Sequence, residues 1–145
     1  MLPIYIGADH AGFILKEYLK SRLNDAAYSF EDVGCFTQES VDYPNYAQLV
    51  AEAIQQGKAK SGILVCGSGE GMVISANKFS GIRAGLAWNT EVAALLKQHN
   101  NAQIICLGAR FTAADYAWKM VDAFLRAEFE GGNHTRRVAL TDSFC

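Results

Sequence analysis

Apolar positions in this chain follow two rhythms that take turns. Short continuous runs at Leu2–Ile6, Gly62–Cys66, Ile82–Trp88 and Gln103–Leu107 have the length of buried strands, and Tyr28–Val33 alternates as a strand does. Between these runs the period changes to that of a helix. Phe13, Leu15, Tyr18, Leu19 and Leu23 form one apolar face, and Tyr46, Leu49, Val50, Ala53 and Ile54 form the next. Met72 to about Phe79, Glu91 to His99, and a long segment from Thr112 with Tyr116, Met120, Val121, Phe124 and Leu125 continue the series. The breaks fall where breakers stand: Asn24-Asp25, Gly34, Gly57, Gly81, Asn100-Asn101 and Gly131-Gly132. Pro44 suits the first turn of a helix, and Asn89-Thr90 reads as a cap. After Gly132, His134-Thr135-Arg136-Arg137 reads as a basic tail leading into a last short apolar segment. Five strands alternating with helices predict an α/β fold, a parallel sheet covered on both faces.

Composition narrows this. A length of 145 residues with no repeat, linker or low-complexity stretch predicts a single domain, 1–145. Half of the residues are hydrophobic and 19% are charged, as in ordinary globular proteins. The net charge of -2 leaves no broad basic footprint, so nucleic acid is not an expected partner. No apolar run reaches the roughly 18 residues of a membrane span. Met1-Leu2-Pro3-Ile4-Tyr5-Ile6 has no charged n-region or cleavage pattern, so a cytoplasmic location is expected. Cys35, Cys66, Cys106 and Cys145 form no C-x-x-C pair and no zinc-like spacing, and free thiols agree with a reducing compartment. Cys106, inside an apolar run, reads as an inert core thiol.

The chemistry concentrates at Ile63-Leu64-Val65-Cys66-Gly67-Ser68-Gly69-Glu70-Gly71-Met72. A strand, a glycine-rich turn and a helix in succession place the turn at the carboxyl end of the sheet, where open α/β folds bind ligands. Backbone N–H groups and the positive end of the helix favour an anion there, and a thiolate at Cys66. The alternative is that Cys66 is a small apolar filler. Standard phosphate-loop assignments fail. A Walker A loop needs Gly-Lys-Ser/Thr where this loop reaches Met72, the dinucleotide fingerprint needs a glycine three residues after Gly69, and a cysteine-phosphatase loop needs arginine at 72. Asp9 and His10 after the first strand, and Arg110 after the fifth, fall on the same sheet edge. Asp9 also reads as a helix cap, His10 as a helix start, and Glu70 as an exposed first-turn acid. His99 ends a helix and lies on the opposite edge. It either complements that helix dipole or serves a neighbouring subunit.

Taken together, Gly7-Ala8-Asp9-His10-Ala11-Gly12, Asp42-Tyr43-Pro44, Cys66 to Gly71, Ala76-Asn77-Lys78, Gly81-Ile82-Arg83-Ala84, Gln98-His99-Asn100, Gly108-Ala109-Arg110, and Gly131-Gly132 with His134 and Arg137 resemble the ribose-5-phosphate isomerase B family and its galactose- and allose-6-phosphate isomerase relatives. The resemblance covers nearly the whole chain. It implies a three-layer α/β/α sandwich on a Rossmann-like five-stranded parallel sheet in order 2-1-3-5-4. It also implies a homodimer, sometimes a tetramer, with shared active sites and residues of about 131–145 packing on the partner. Neither a metal nor an organic cofactor is implied. The implied reaction interconverts D-ribose 5-phosphate and D-ribulose 5-phosphate through a cis-enediolate. Cys66 is the implied base, because Met72 stands where other members carry a glutamate. Ser68 orients Cys66, and the backbone N–H groups of Gly67, Gly69, Glu70 and Gly71 hold the enediolate oxygens. His99 opens the sugar ring, with Asp9 on the ring hydroxyls and Tyr43 and Asn100 on the sugar. His10, Arg110 and Arg137 hold the phosphate. Asn133 departs from the family, which commonly has arginine there, and Arg136 is the candidate replacement. A phosphorylated hexose as substrate, and a sugar-phosphate-binding module without turnover, are the competing readings.

Overall fold

The computed structural model describes residues 1–144; Cys145 lies outside the described residues. Five parallel strands form one sheet: β1 (Ile4–Ala8), β2 (Phe30–Asp32), β3 (Gly62–Cys66), β4 (Ala84–Leu86) and β5 (Ile104–Gly108), in order β2-β1-β3-β5-β4. The helices are α1 (Phe13–Asp25), α2 (Tyr43–Gln55), α3 (Glu70–Ala76), α4 (Thr90–Gln98), α5 (Ala114–Arg126) and α6 (Asn133–Asp142), with a 3₁₀ turn at His10–Gly12. The expected fold class and strand order are those observed.

Period-two alternation assigns the central strands to two cores. Ile63 and Val65 of β3, with Ile105 and Leu107 of β5, pack on one face with Leu19 of α1 and Met120 and Phe124 of α5. Leu64 and Cys66, with Ile104 and Cys106, face α2 and α3 through Val50, Met72 and Ala76. Every residue of β3 and β5 is buried, as two-sided coverage requires. Register puts Ala8 beside Val65, and Cys66 beside Gly108, so the three inner strands end together.

The edge strands are shorter than their apolar runs. The regular pairing spans Phe30–Asp32 and Ala84–Leu86, and the Val33 and Ala87 N–H groups just beyond still donate to the Ile6 and Cys106 carbonyls at 3.0 and 3.1 Å. The segment read as a basic tail is corrected: Asn133–Asp142 is the helix α6. It buries none of its own residues, so no periodic apolar face marks it in the sequence.

Candidate active site

Cys66 ends the central strand with only 4% of its surface exposed. Its Sγ accepts the Gly69 N–H at 3.2 Å. That return of the chain onto the sulfur depends on Gly69, whose φ of 83° lies in the left-handed region. A Cβ there would stand 2.5 Å from Leu86 and 2.9 Å from the Leu107 backbone. Cys106, one strand over on the same face, is fully buried. Burial, assisted by the nearby Cys66 charge, pushes its thiol far above the ordinary range, so the expectation of an inert core thiol holds.

The flanking loops close on this point. The Asp9 N–H donates to the Val65 carbonyl at 3.2 Å, and the Ala109 and Arg110 N–H groups donate to the Cys66 and Gly67 carbonyls at 2.9 and 3.0 Å. The Arg110 guanidinium lies over Gly67, its Cζ 3.2 Å from where a Cβ would project. The Tyr43 ring presses on Gly71, where an added Cβ would come within 2.6 Å of it. Asp9 is buried and caps the 3₁₀ turn, its Oδ1 accepting the Gly12 N–H at 3.1 Å. His10 Nδ1 accepts the Val41 N–H at 3.1 Å, which leaves Nε2 as the protonated nitrogen and a donor. Ser68 is exposed, and its hydroxyl accepts the Glu70 N–H at 3.3 Å rather than bonding to Cys66. Glu70 is the exposed first-turn acid expected. Ser68 and Glu70 line a cavity of about 490 Å³ with Trp88, Phe111 and Tyr116.

The remaining candidates gather elsewhere. His99, Asn100 and Arg137 line a larger cavity of about 660 Å³ between the β4 approach and α6. Cys66 lines neither cavity. The candidate residues therefore fall in two separate clusters, one at the carboxyl ends of β1, β3 and β5 and one beyond α4. Arg137 faces the larger cavity, whereas the adjacent Arg136, a rotation of about 100° round the helix, does not line it.

Three residues of this second cluster were given no role from sequence. His134 stacks on His99, with ring centroids 4.2 Å apart and planes 12° from parallel. Glu130 places Oε1 3.5 Å from His99 Nε2 and 3.7 Å from His134 Nε2. Arg83 donates to the Asn100 and Asn101 carbonyls at 2.9 and 3.0 Å and to both Asp142 oxygens at 2.8 and 2.6 Å. It ties the His99–Asn101 corner to the end of α6. Glu130 and His134 are four positions apart, but Gly131-Gly132 between them lies outside α6 with positive φ, so no helical spacing marked the pair. Arg83 pairs with Asp142 across 59 positions, a contact no local pattern reveals.

A family model described as Ribose/Galactose Isomerase matches residues 4–140. The ribose-5-phosphate isomerase B of Escherichia coli (strain K12) is 42% identical over 138 residues, 95% of this chain and 93% of that protein. A D-erythrulose-4-phosphate isomerase of Pectobacterium atrosepticum is 43% identical over 143 residues, 95% of this chain and 91% of the relative. The crystal structure of ribose-5-phosphate isomerase B from Mycoplasma genitalium with bound ribulose-5-phosphate superposes with a TM-score of 0.94 at 38% identity, covering 99% of this chain and 95% of that one.

Proposed function

The chain belongs to the Ribose/Galactose Isomerase family, and from that premise we propose that this sugar-phosphate isomerase interconverts D-ribose 5-phosphate and D-ribulose 5-phosphate. The observation that carries the reading is Cys66, held at the end of the central strand with its sulfur facing the Gly69 N–H. In the forward direction the Cys66 thiolate takes the C2 proton of the open aldose. The C2–H electrons form the C1–C2 double bond, and O1 becomes an oxyanion. Transfer of the O2 proton to O1, and return of the carbon proton from the Cys66 thiol to C1, yield the ketose and regenerate the thiolate. Backbone N–H groups of the Gly67–Gly71 loop stabilise charge that exists only along this path, the kind of donor whose removal costs about 10²–10³ in rate.

The two half-sites join in a homodimer. His99, Asn100 and Arg137 of one subunit complete the carboxyl-end half-site of the other, where Asp9, His10, Tyr43 and Arg110 surround Cys66. Two observations support this: Cys66 is absent from the lining of both cavities described above, and α6 buries none of its residues in its own chain. Leu140 and Phe144 remain 53% and 76% exposed, apolar surface available to a partner. His99 opens the furanose, Asp9 binds its hydroxyls, and His10, Arg110 and Arg137 hold the phosphate.

Cys66→Ala in a direct assay with ribose 5-phosphate is the test. Loss of turnover with the fold intact is expected, and wild-type turnover would remove Cys66 as the base. A second reading changes the carbon count. The D-erythrulose-4-phosphate isomerase relative is as similar as the ribose one, and Asn133 stands where arginine is usual. Values of kcat/KM across four-, five- and six-carbon aldose phosphates decide between them. Binding of all three without product would instead favour a module that does not turn over.

A further inference from the structure

Glu130 Oε1 stands between two imidazole edges at 3.5 and 3.7 Å, too far for a good hydrogen bond to either. The three donor atoms of His99, Glu130 and His134 lie within 4.8 Å of one another. We propose that these three residues bind a first-row transition-metal ion, Zn²⁺ fitting best, and that occupancy withdraws His99 from the sugar.

Tetrahedral Zn²⁺ with bonds of about 2.0–2.1 Å holds its donors about 3.3 Å apart. Two edges of this triangle exceed that by only a few tenths of an ångström. Two imidazoles, one carboxylate and an open fourth position make a set that zinc accepts. Ca²⁺ and Mg²⁺ take mainly oxygen ligands, so two nitrogens select against them. The main chain already holds the donors together. The Glu130 N–H donates to the Gln98 carbonyl at 3.0 Å, next to His99, and the His134 N–H donates to the Gly131 carbonyl at 3.1 Å. The rings are nearly parallel, so coordination requires them to swing open towards the ion. Side chains 41% and 24% exposed have room to do so. The adjoining cavity admits the ion and supplies its fourth ligand, water or a sugar hydroxyl. Arg137 and Lys78 line that cavity and oppose a cation, while Arg83 is paired with Asp142. The site is therefore reversible and weaker than a structural zinc centre.

Binding stands on geometry alone; the inhibitory consequence rests on the ring-opening role proposed for His99. The full-length chain is titrated with CoCl₂ and followed by calorimetry and absorbance. One ion per chain is expected, with tetrahedral d–d bands and no sulfur-to-cobalt charge-transfer band. Even outer-shell partners of a metal cost about 10–100-fold in affinity when removed, so His134→Gln and Glu130→Gln should each weaken binding at least as much. Cys66→Ala should bind like the wild type. Zn²⁺ should inhibit ribose 5-phosphate turnover by the wild type and spare His134→Gln. No saturable binding, binding indifferent to His134→Gln, or a charge-transfer band lost in Cys66→Ala overturns the site. Cobalt binding as described without zinc inhibition overturns the inhibitory consequence and counts against His99 as the ring-opening group, while the site stands.

Discussion

Ribose 5-phosphate in water is mostly a closed furanose, so the proposed His99 acts before any carbon–hydrogen bond breaks. Erythrose 4-phosphate cannot close such a ring, because its O4 carries the phosphate. His99→Asn should therefore lose about 10²-fold or more in kcat/KM with ribose 5-phosphate, in the range of a general acid–base group. With the four-carbon aldose the loss should be several-fold smaller. Equal losses on the two substrates would assign His99 to binding alone. The residues legible from sequence were those whose local context gave them away. Cys66 precedes a glycine turn, Asp9 and His10 follow a strand, and His99 ends a helix. Ser68 was less legible, because an exposed hydroxyl chooses among partners that only geometry distinguishes; here it takes the Glu70 N–H.

At the scale of elements, two charged ties hold segments that apolar patterning does not describe. Lys16 on α1 is fully buried, its Nζ 2.6 Å from Asp32 on β2 and 2.9 Å from Glu17, and Lys20 joins at 2.8 Å to each acid. Burial pushes the Asp32 carboxyl up, but hydrogen bonds from Lys16, Lys20 and the Gly34 N–H outweigh it and hold the group below its ordinary value. A depressed carboxylate stabilises the fold fully above its unfolded value, about 3.9, and the stability is lost as pH falls through the lower folded value. Urea midpoints should therefore decline below about pH 4 in the wild type. Asp32→Asn should cost about 3 kcal/mol at neutral pH, since it leaves the buried Lys16 ammonium with only the half-exposed Glu17 as a charged partner, and should flatten that acid decline. An unchanged acid slope in the variant would place the titration elsewhere.

The second tie is Arg83 to Asp142, the main polar link between α6 and the His99 corner. Arg137, the proposed phosphate contact, lies on α6, so loosening the helix should act on phosphate binding before it acts on proton transfer. Asp142→Asn is expected to raise KM for ribose 5-phosphate about threefold or more with kcat little changed, the pattern of lost ground-state binding. The cost in stability should be about 1 kcal/mol, since the Asp142 end of the pair is exposed and Arg83 keeps its bonds to the Asn100 and Asn101 carbonyls. A fall in kcat at constant KM would show that α6 does not carry the phosphate contact. β3 and β5 were readable because both of their faces are buried within the chain, so every position carries the signal. For α6 the opposite holds, and no apolar period marks its helix.

The whole molecule raises the question of where one active site ends. The two clusters proposed as half-sites lie beyond opposite edges of the sheet, Cys66 at the strand carboxyl ends and His99 after α4. In a symmetric dimer, each surface patch meets its counterpart twice, so each subunit gives one half-site and receives the other. Mixing Cys66→Ala subunits with His99→Asn subunits tests this directly. In a heterodimer one site collects both substitutions and the other collects neither. Two inactive preparations, unfolded and refolded together, should thus regain about a quarter of wild-type turnover: half of the dimers are mixed, and each has one intact site. If Cys66 and His99 served the same site from the same chain, every site in the mixture would keep a lesion and no activity would return. Sedimentation of the mixture as a dimer rules out simple failure to assemble, so a silent heterodimer would count against sharing and return His99 to its own chain.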